Sequence, residues 1–260
     1  MALEPALHAE RRGAGPRLVL VHGFTQNCHC WGPIASDLAN DHEVVLVDAP
    51  GHGQSPPATP GFLAGAKSIG TVGGRATYIG YSMGGRYCLA LALERPELVD
   101  RLVLISASPG IEDDLARAER RLADEALADH VVTVGTDRFL AEWLTQPFFA
   151  TLDEETACLR ERRHNTSAGL ASSLRHAGAG AQPSLWPRLA ELEMPVLLVT
   201  GELDDKFRGI ATAMTAAIGP NSTHVLVADA SHTAHLEQSA QFLSILRRWL
   251  VHTAEEAPER

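Results

Sequence analysis

The sequence predicts an α/β protein in which helices cover both faces of a mostly parallel sheet. Short apolar runs alternate with helical patterns along most of the 260 residues. The alternation is interrupted once, between residues 109 and 188, where the sequence shows helical patterns and no convincing strand. We therefore expect a core formed by residues 1–108 and 189–260, with residues 109–188 inserted as a helical cap.

Six apolar runs are interpreted as buried strands, and the segments between them as helices. The predicted strands cover residues 17–23, 42–48, 76–81, 100–108, 194–201 and 223–229. The predicted core helices cover residues 31–40, 62–74, 83–96, 207–218 and about 235–250. The helix over 62–74 is expected to be weak because glycines interrupt it. In the cap, the clearest helical patterns are "DLARAERRLADEALADHV" and "TDRFLAEWLTQPFF". In open α/β sheets, ligands bind at the carboxyl ends of the strands, where we place this insertion.

Composition limits the classes of partner. The formal net charge of -10 argues against nucleic acid or an anionic membrane as the main partner. No apolar run approaches the roughly 20 residues that span a bilayer, and the start "MALEPALHAERRG" lacks the apolar core of a signal peptide. The four cysteines have no disulfide-framework spacing, and "CHCW" offers too few ligands for a tetrahedral metal site. We expect reduced cysteines, no metal, no cofactor and a cytoplasmic location.

A candidate nucleophile lies in "GYSMGG", where Ser82 follows a strand and precedes a helix. Gly80 and Gly84 flank the serine in a G-x-S-x-G pattern, which is meaningful in this strand–turn–helix context. A turn this sharp leaves almost no room for side chains two positions on either side. The pattern predicts a serine whose hydroxyl is exposed at the carboxyl edge of the sheet.

A serine nucleophile needs a histidine base and a carboxylate that orients the histidine. With this topology the expected chain order is serine, acid, histidine. The loop after strand 194–201 offers Glu202, Asp204 and Asp205, and the loop after strand 223–229 offers His232 and His235. We favour Asp204 and His232, because His232 follows its strand within a short loop. Asp205 and His235 stay open as alternatives.

A nucleophilic serine also needs two backbone donors for a developing oxyanion. One donor is expected from Met83, directly after the nucleophile; for the other, "VHGF" offers Gly23 and Phe24, of which we favour Phe24. His22 and His52 are interpreted as structural turn histidines.

Arg86 lies in the first turn of the predicted helix, where a cation opposes the helix macrodipole. A partly buried cation beside a nucleophile is costly unless an anion pairs with it. We interpret Arg86 as a binding residue for an anionic substrate group; an ion pair with a cap carboxylate is the structural alternative.

The motifs "HGF", "DAPGHGQS", "GYSMGG", "GELDDKF" and "ASHTAHLE" together resemble the α/β-hydrolase superfamily over nearly the whole chain. Within it, "GYSMGGR", "SPGIEDDLARAERR", "WLTQPFF", "RRHNTSAGLASSLR" and "GELDDKFR" resemble the 2-succinyl-6-hydroxy-2,4-cyclohexadiene-1-carboxylate (SHCHC) synthases of menaquinone biosynthesis. The resemblance implies a lyase in which the serine–histidine pair removes a ring proton and pyruvate leaves without consumption of water. It also implies that the acid is the first Asp of G-E-x-D-x-K-F, which is Asp204.

The same resemblance implies further site residues. Two cap arginines, Arg120 and Arg162, would join Arg86 in binding a substrate with several carboxylates, with Arg163 as a competitor for Arg162. The apolar wall would be formed by Tyr81, Trp143 and Phe149. The alternative function is a hydrolase of carboxylic esters, thioesters or C–C bonds with the same triad. Arg86 distinguishes the lyase from the hydrolase, since a neutral ester offers it no anionic group.

Overall fold

The computed structural model describes residues 6–58, 61–153 and 156–255. Their sheet has seven strands in the order β1-β3-β2-β4-β5-β6-β7, and only β1 runs antiparallel to its neighbour. The strands are β1 (Ala9–Arg12), β2 (Arg17–Val21), β3 (Glu43–Val47), β4 (Ala76–Tyr81), β5 (Val99–Ile105), β6 (Val196–Gly201) and β7 (Ser222–Val227). The mostly parallel sheet that the sequence predicts is confirmed.

Ten α-helices accompany these strands in the described part of the chain. Those of the sheet layers are α1 (Gly32–Leu38), α2 (Phe62–Gly73), α3 (Met83–Glu94), α8 (Asp205–Ile218), α9 (Ala234–Glu237) and α10 (Ser239–Glu255). Those between β5 and β6 are α4 (Asp114–Val134), α5 (Thr136–Trp143), α6 (Leu159–Arg162) and α7 (Ser167–Ala177). Short 3₁₀ helices cover Cys28–Trp31, Pro96–Leu98, Pro147–Phe149 and Trp186–Glu191.

Strand β1 is the element that the sequence analysis missed. Its residues, "AERR", carry no apolar alternation, and the last two are exposed. Ala9 pairs with Val47 and Arg12 with Val44 at the edge of the sheet, where a short charged strand discourages pairing with other chains. A strand of this kind is held by backbone pairing, so its side chains give no periodic signal.

The two faces of the sheet bury separate cores because successive side chains of a strand point to opposite faces. In β2, Leu18 and Leu20 pack into the cluster that also contains Phe242 of α10. Val19 and Val21 pack on the other face, in the cluster shared with α2, α3 and α8. All four side chains are almost completely buried. The continuous apolar run "LVLV" therefore reports a strand covered on both faces.

The helices between β5 and β6 have a small core of their own. Ala128 and Val131 of α4, Phe139 of α5, and Leu170, Ala171 and Leu174 of α7 form one buried cluster. Phe24, from the loop after β2, packs against it. This inserted segment thus rests directly on the loop at the carboxyl edge of the sheet. No described residue between 109 and 188 belongs to a strand.

None of the helices that the described ranges contain is long and apolar enough to cross a membrane.

Replacement of Leu20 by Ala tests the burial of the central strand. Leu20 is 0% exposed, and truncation of a fully buried leucine destabilises by about 2–5 kcal/mol through lost transfer energy and a residual cavity. Leu122 on α4 is 73% exposed and is the matched control, for which Leu122→Ala should change the free energy of unfolding by about 0.5 kcal/mol or less. Chemical denaturation measures both. Similar losses for the two variants would contradict the assigned packing.

Candidate active site

Ser82 occupies a strained turn between β4 and α3. Its φ is +49°, a region that is costly for a residue with a side chain and that is concentrated at functional sites. Two backbone hydrogen bonds hold the turn: the Ser82 N–H donates to Ile105 O at 2.8 Å, and the Arg86 N–H donates to Ser82 O at 3.0 Å. The neighbouring strand and the first turn of α3 therefore impose the conformation of Ser82.

The flanking glycines are required by backbone contact. A Cβ on Gly80 would lie 2.5 Å from the backbone nitrogen of Gly85, and a Cβ on Gly84 would overlap the carbonyl oxygen of Val21. The start of α3 thus lies directly against β4 and β2, which no larger residue would permit. These backbone contacts explain why both flanking positions of the G-x-S-x-G pattern are glycine.

The structure brings His232 and Asp204 to Ser82. His232 Nε2 lies 3.2 Å from Ser82 Oγ, and His232 Nδ1 lies 2.8 Å from Asp204 Oδ2. The side chains of His232 and Asp204 are 7% and 9% exposed. Asp204 also caps α8, since its Oδ1 accepts the Phe207 N–H at 3.2 Å. One carboxylate therefore orients the histidine and begins the helix that follows it.

The alternative acid and base lie elsewhere. The side chain of Asp205 is 93% exposed and pairs with Arg208 at 2.9 Å. His235 is buried between Trp31 and Tyr81, and burial lowers its pKa to about 3, so the ring is neutral. Neither residue has the contacts that Asp204 and His232 make.

Glu237 holds the loop that carries His232. Its Oε1 accepts the Thr233 N–H at 2.9 Å and the Thr233 hydroxyl at 2.6 Å, and its Oε2 accepts the Ser231 N–H at 2.7 Å. The residues on both sides of His232 are thereby fixed. The sequence analysis assigned Glu237 no role, because a glutamate near a helix end is usually a solvated residue.

The backbone donors on both sides of Phe24 are already bonded. The Gly23 N–H is bonded to Gln26 Oε1 at 3.0 Å, and the Thr25 N–H to His52 Nε2 at 3.3 Å. Phe24, which we favour over Gly23 from the sequence, therefore stays the candidate donor. Met83 opens α3, where the N–H has no intrahelical acceptor.

His22 and His52 support this loop as neutral rings. His22 Nδ1 donates to Gly23 O at 2.8 Å, and its Nε2 accepts the Ala49 N–H at 3.0 Å. Burial lowers the pKa of both histidines, that of His52 to about 3. Their positions agree with the structural role expected from the sequence.

A cavity of about 880 Å³ opens beside Ser82, between the carboxyl edge of the sheet and the inserted helices. All the predicted site residues line it: Phe24, Tyr81, Ser82, Met83, Arg86, Arg120, Trp143, Phe149, Arg162, Asp204 and His232. The sequence analysis did not name Phe148, Lys206 and Phe207, which line it as well. Their positions depend on how loops meet in space, for which the local sequence holds no signal.

Arg86 lines the cavity and has no carboxylate partner within the described ranges. Its guanidinium donates to Gln182 Oε1 at 3.0 Å and to the carbonyl oxygen of Ala177 at 2.9 Å, and both acceptors are neutral. Burial lowers its pKa to about 10, so it stays charged near neutral pH. The ion pair considered as the structural alternative is not formed with any carboxylate of the described residues. A half-buried cation with only neutral acceptors is suited to an anionic ligand.

Arg120 both forms the surface pair expected of it and faces the cavity. Its Nε lies 2.7 Å from Asp124 Oδ1 in an i,i+4 pair, and its side chain is 44% exposed. Asp124 is buried and also accepts the Gly180 N–H at 2.9 Å. Part of the Arg120 charge is therefore already compensated.

Arg162, and not Arg163, lines the cavity. Arg162 is completely buried, donates from Nε to Ala157 O at 2.7 Å, and contacts the oxyanion loop through Phe24 O and Thr25 Oγ1. Its Nη2 is buried and has no hydrogen-bond partner in the part of the chain that the structure describes. Arg163 is exposed and pairs with Asp137. One free donor thus remains on a cation that also fixes the loop of Phe24.

Asn165 is a second link between the inserted helices and this loop. Its Nδ2 donates to Thr25 O at 2.7 Å and to Gln26 O at 3.2 Å, while its Oδ1 accepts the Gly53 N–H at 2.8 Å. The sequence analysis missed it, because Asn165 directly precedes the N-cap Thr166 and resembles an ordinary helix-start residue.

The apolar wall is a connected set of rings. Trp143 stacks on Phe139 at 5.9 Å and meets Phe24 edge-on at 5.2 Å between centroids. Phe148 and Phe207 approach the His232 ring at 5.5 and 4.5 Å. Rings therefore surround the histidine and limit the access of water.

Two side-chain groups outside this cavity have the composition of a metal site. His8, Cys28 and Asp48 form one, and Glu10, Cys28 and His29 form the other. Their ligand atoms already bond to each other, His8 Nδ1 to Asp48 at 2.9 Å and His29 Nε2 to Glu10 at 2.6 Å. We assign no catalytic step to them.

The sheet order, the strained serine turn and the Ser82–His232–Asp204 geometry define a protein of the α/β-hydrolase fold. The chain belongs to that family: residues 16–239 match the family profile described as the alpha/beta hydrolase fold.

Three proteins that are similar over nearly the whole chain allow a more specific comparison than the family profile does. A Bacillus subtilis (strain 168) protein, named provisionally as an SHCHC synthase, is 33% identical over 259 residues and covers 94% of each chain. A Salmonella typhimurium protein named SHCHC synthase is 32% identical in an alignment of 259 positions that covers 94% of this chain and 98% of that one. The solved structure of MenH from S. aureus superposes with a TM-score of 0.87 at 30% identity, over 95% of this chain and 99% of that chain.

Replacement of the acid tests the geometry without assuming a substrate. Asp204→Asn should slow covalent labelling of Ser82 by a neutral fluorophosphonate, by as much as about 10⁴-fold, because the amide stabilises the wrong histidine tautomer. Asp205→Asn is the matched control and should label at the wild-type rate. Intact-mass spectrometry follows the labelling. If only Asp205→Asn is labelled slowly, the acid that orients His232 is Asp205 and not Asp204.

Proposed function

We propose that this chain is an SHCHC synthase, a lyase that eliminates pyruvate from an enolpyruvyl precursor. The full-length similarity to proteins of that name supports the proposal. The single observation that carries it is the half-buried guanidinium of Arg86, which faces the cavity beside Ser82 with only neutral acceptors. A substrate with several carboxylates supplies the missing anions.

The candidate triad performs the proton transfer in this proposal. His232 Nε2 takes the Ser82 proton, and the serine oxygen removes the ring proton beside the succinyl ketone. Asp204 stabilises the imidazolium that results. The electron pair left on carbon forms an enolate and then expels the enolpyruvyl oxygen, so that one C–H and one C–O bond break. The departing enolpyruvate takes up a proton on carbon and becomes pyruvate.

The loop after β2 stabilises the intermediate charge. The enolate oxygen is placed against the Phe24 and Met83 N–H groups, whose positions are fixed before the substrate arrives. Arg162 and Asn165 support this loop from the inserted segment. We propose that residues 109–188 serve as the cap: they supply Arg120, Arg162 and the aromatic wall, and they exclude water from the enolate.

Hydrolysis of an ester by the same three residues is the alternative, and it rests on the family alone. A neutral ester leaves Arg86 without an anion. We therefore place hydrolysis second.

A side-by-side assay tests the function. Wild-type protein should release pyruvate from the enolpyruvyl precursor and form a product with the absorbance of a conjugated diene, while short aryl esters should turn over slowly or not at all. Ser82→Ala should abolish pyruvate release, because in this mechanism the serine oxygen removes the ring proton. His232 lies behind that oxygen and does not reach the ring proton itself. Fast ester hydrolysis without pyruvate release would contradict the lyase assignment and support the hydrolase assignment.

Arg86→Ala tests the anion-binding role. We expect kcat/KM for the carboxylated precursor to fall by about 30- to 5,000-fold, equivalent to roughly 2–5 kcal/mol for a broken buried charge pair. Arg86→Lys should recover only part, since an ammonium lacks the planar two-point contact. Arg121→Ala, an exposed arginine outside the cavity, is the control.

Labelling of Ser82 by the neutral fluorophosphonate should be nearly unchanged in Arg86→Ala. Because Arg86 also bonds to Gln182 and Ala177, thermal melting must show that the variant is folded. Equal losses in turnover and in labelling would make Arg86 a structural residue.

A further inference from the structure

The cavity is electropositive in an acidic chain. Four cationic side chains line it, Arg86, Arg120, Arg162 and Lys206, against two carboxylates, Asp124 and Asp204. The whole chain carries a formal net charge of -10. A cleft of opposite sign to the rest of the molecule attracts and concentrates an anionic substrate. Three of these cations were expected from the sequence; Lys206 was not.

Lys206 is unusual in composition and in position. The chain has 22 basic residues, of which only Lys67 and Lys206 are lysines. Lys67 pairs with Glu94 at 3.5 Å, whereas Lys206 has no ion pair with a carboxylate of the described residues. Lys206 lies in the first turn of α8, where a cation opposes the helix macrodipole. Neither an ion pair within the described residues nor the helix macrodipole therefore stabilises its charge.

The nearby carboxylates are already occupied. Asp204 accepts from His232 and from the Phe207 N–H, and Asp205 pairs with Arg208. The Lys206 ammonium lies over the Phe207 ring, 5.7 Å from the centroid. It remains exposed at the wall of the cavity, free to meet a ligand.

Lys206 lies on the histidine side of the site. The three arginines come from α3, α4 and α6, whereas Lys206 comes from α8, the helix that Asp204 caps. The Phe207 ring beneath its ammonium packs against His232 at 4.5 Å. An anion held by Lys206 would therefore lie near the reacting bond and apart from the cap arginines.

We propose that Lys206 binds one carboxylate of the substrate at the rim of the cavity, on the side of His232. This inference rests on the proposed function insofar as that function supplies a substrate with several carboxylates. The ammonium is a flexible point charge on an exposed stem, so it captures the anion and guides it inward, and the arginines of the cavity then fix its orientation. Lys206 is a substrate-binding residue and transfers no proton.

Lys206→Met and Lys67→Met form a matched pair for kinetics, since each removes one of the two lysines. Lys206→Met should lower kcat/KM for the enolpyruvyl precursor by about 10-fold at low ionic strength and change kcat by less than about threefold. The difference should shrink in about 0.5 M salt, because salt screens an exposed charge. Lys206→Arg should recover most of the loss, and Lys67→Met should match the wild type. Equal behaviour of Lys206→Met and Lys67→Met would overturn the proposal.

A binding measurement separates this proposal from the lyase function. Tricarballylate, a tricarboxylate without an enolpyruvyl group, is titrated calorimetrically into wild-type, Lys206→Met and Lys67→Met protein. Binding should weaken by about fivefold in Lys206→Met alone, and the effect should fall with added salt. If the wild type releases no pyruvate but Lys206→Met still weakens tricarballylate binding, the anion site stands and the lyase assignment fails. Wild-type tricarballylate binding that is absent, or unaffected by Lys206→Met, would refute the site.

Discussion

The close approach of backbone segments around Ser82 is the constraint on which the rest of the structure depends. The first turn of α3 lies against β2 and β4 so tightly that a side chain at Gly80 or Gly84 would collide with backbone atoms. That contact forces Ser82 to a φ of +49° and leaves its hydroxyl within reach of His232. The fold tolerates this strain because helices pack on both faces of the mostly parallel sheet and form a buried apolar core on each face.

The parallel sheet then determines where the other groups can lie. Asp204 follows β6 and His232 belongs to the loop after β7, and parallel strands bring both loops to the edge at which β4 ends. Secondary contacts fix these loops in place. Asp204 caps α8 while it orients His232, and Glu237 holds the residues on both sides of that histidine. Preorganisation of this kind reduces the rearrangement that the reaction itself would require.

In the mechanism that we propose, the inserted helices contribute to the chemistry as well as to the binding of substrate. Arg162 and Asn165 contact the loop that carries Phe24, so the position of the helices and the position of the oxyanion donor are coupled. The same segment accepts two hydrogen bonds from Arg86 and leaves its charge uncompensated. The buried Arg162 and the half-buried Arg86 donate only to neutral acceptors among the described residues, and on these cations we base the proposal of an anionic substrate.

The sequence by itself determined the elements whose signals are local. The apolar runs predicted six strands, the glycines around Ser82 predicted its turn, and chain order pointed to Asp204 and His232. The tertiary structure decided everything that depends on contacts between distant segments. It separated Arg162 from Arg163, added the edge strand β1, and placed Lys206 at the cavity. The reason is physical: propensity and periodicity act over a few neighbouring residues, whereas burial and pairing depend on which segments pack together in space.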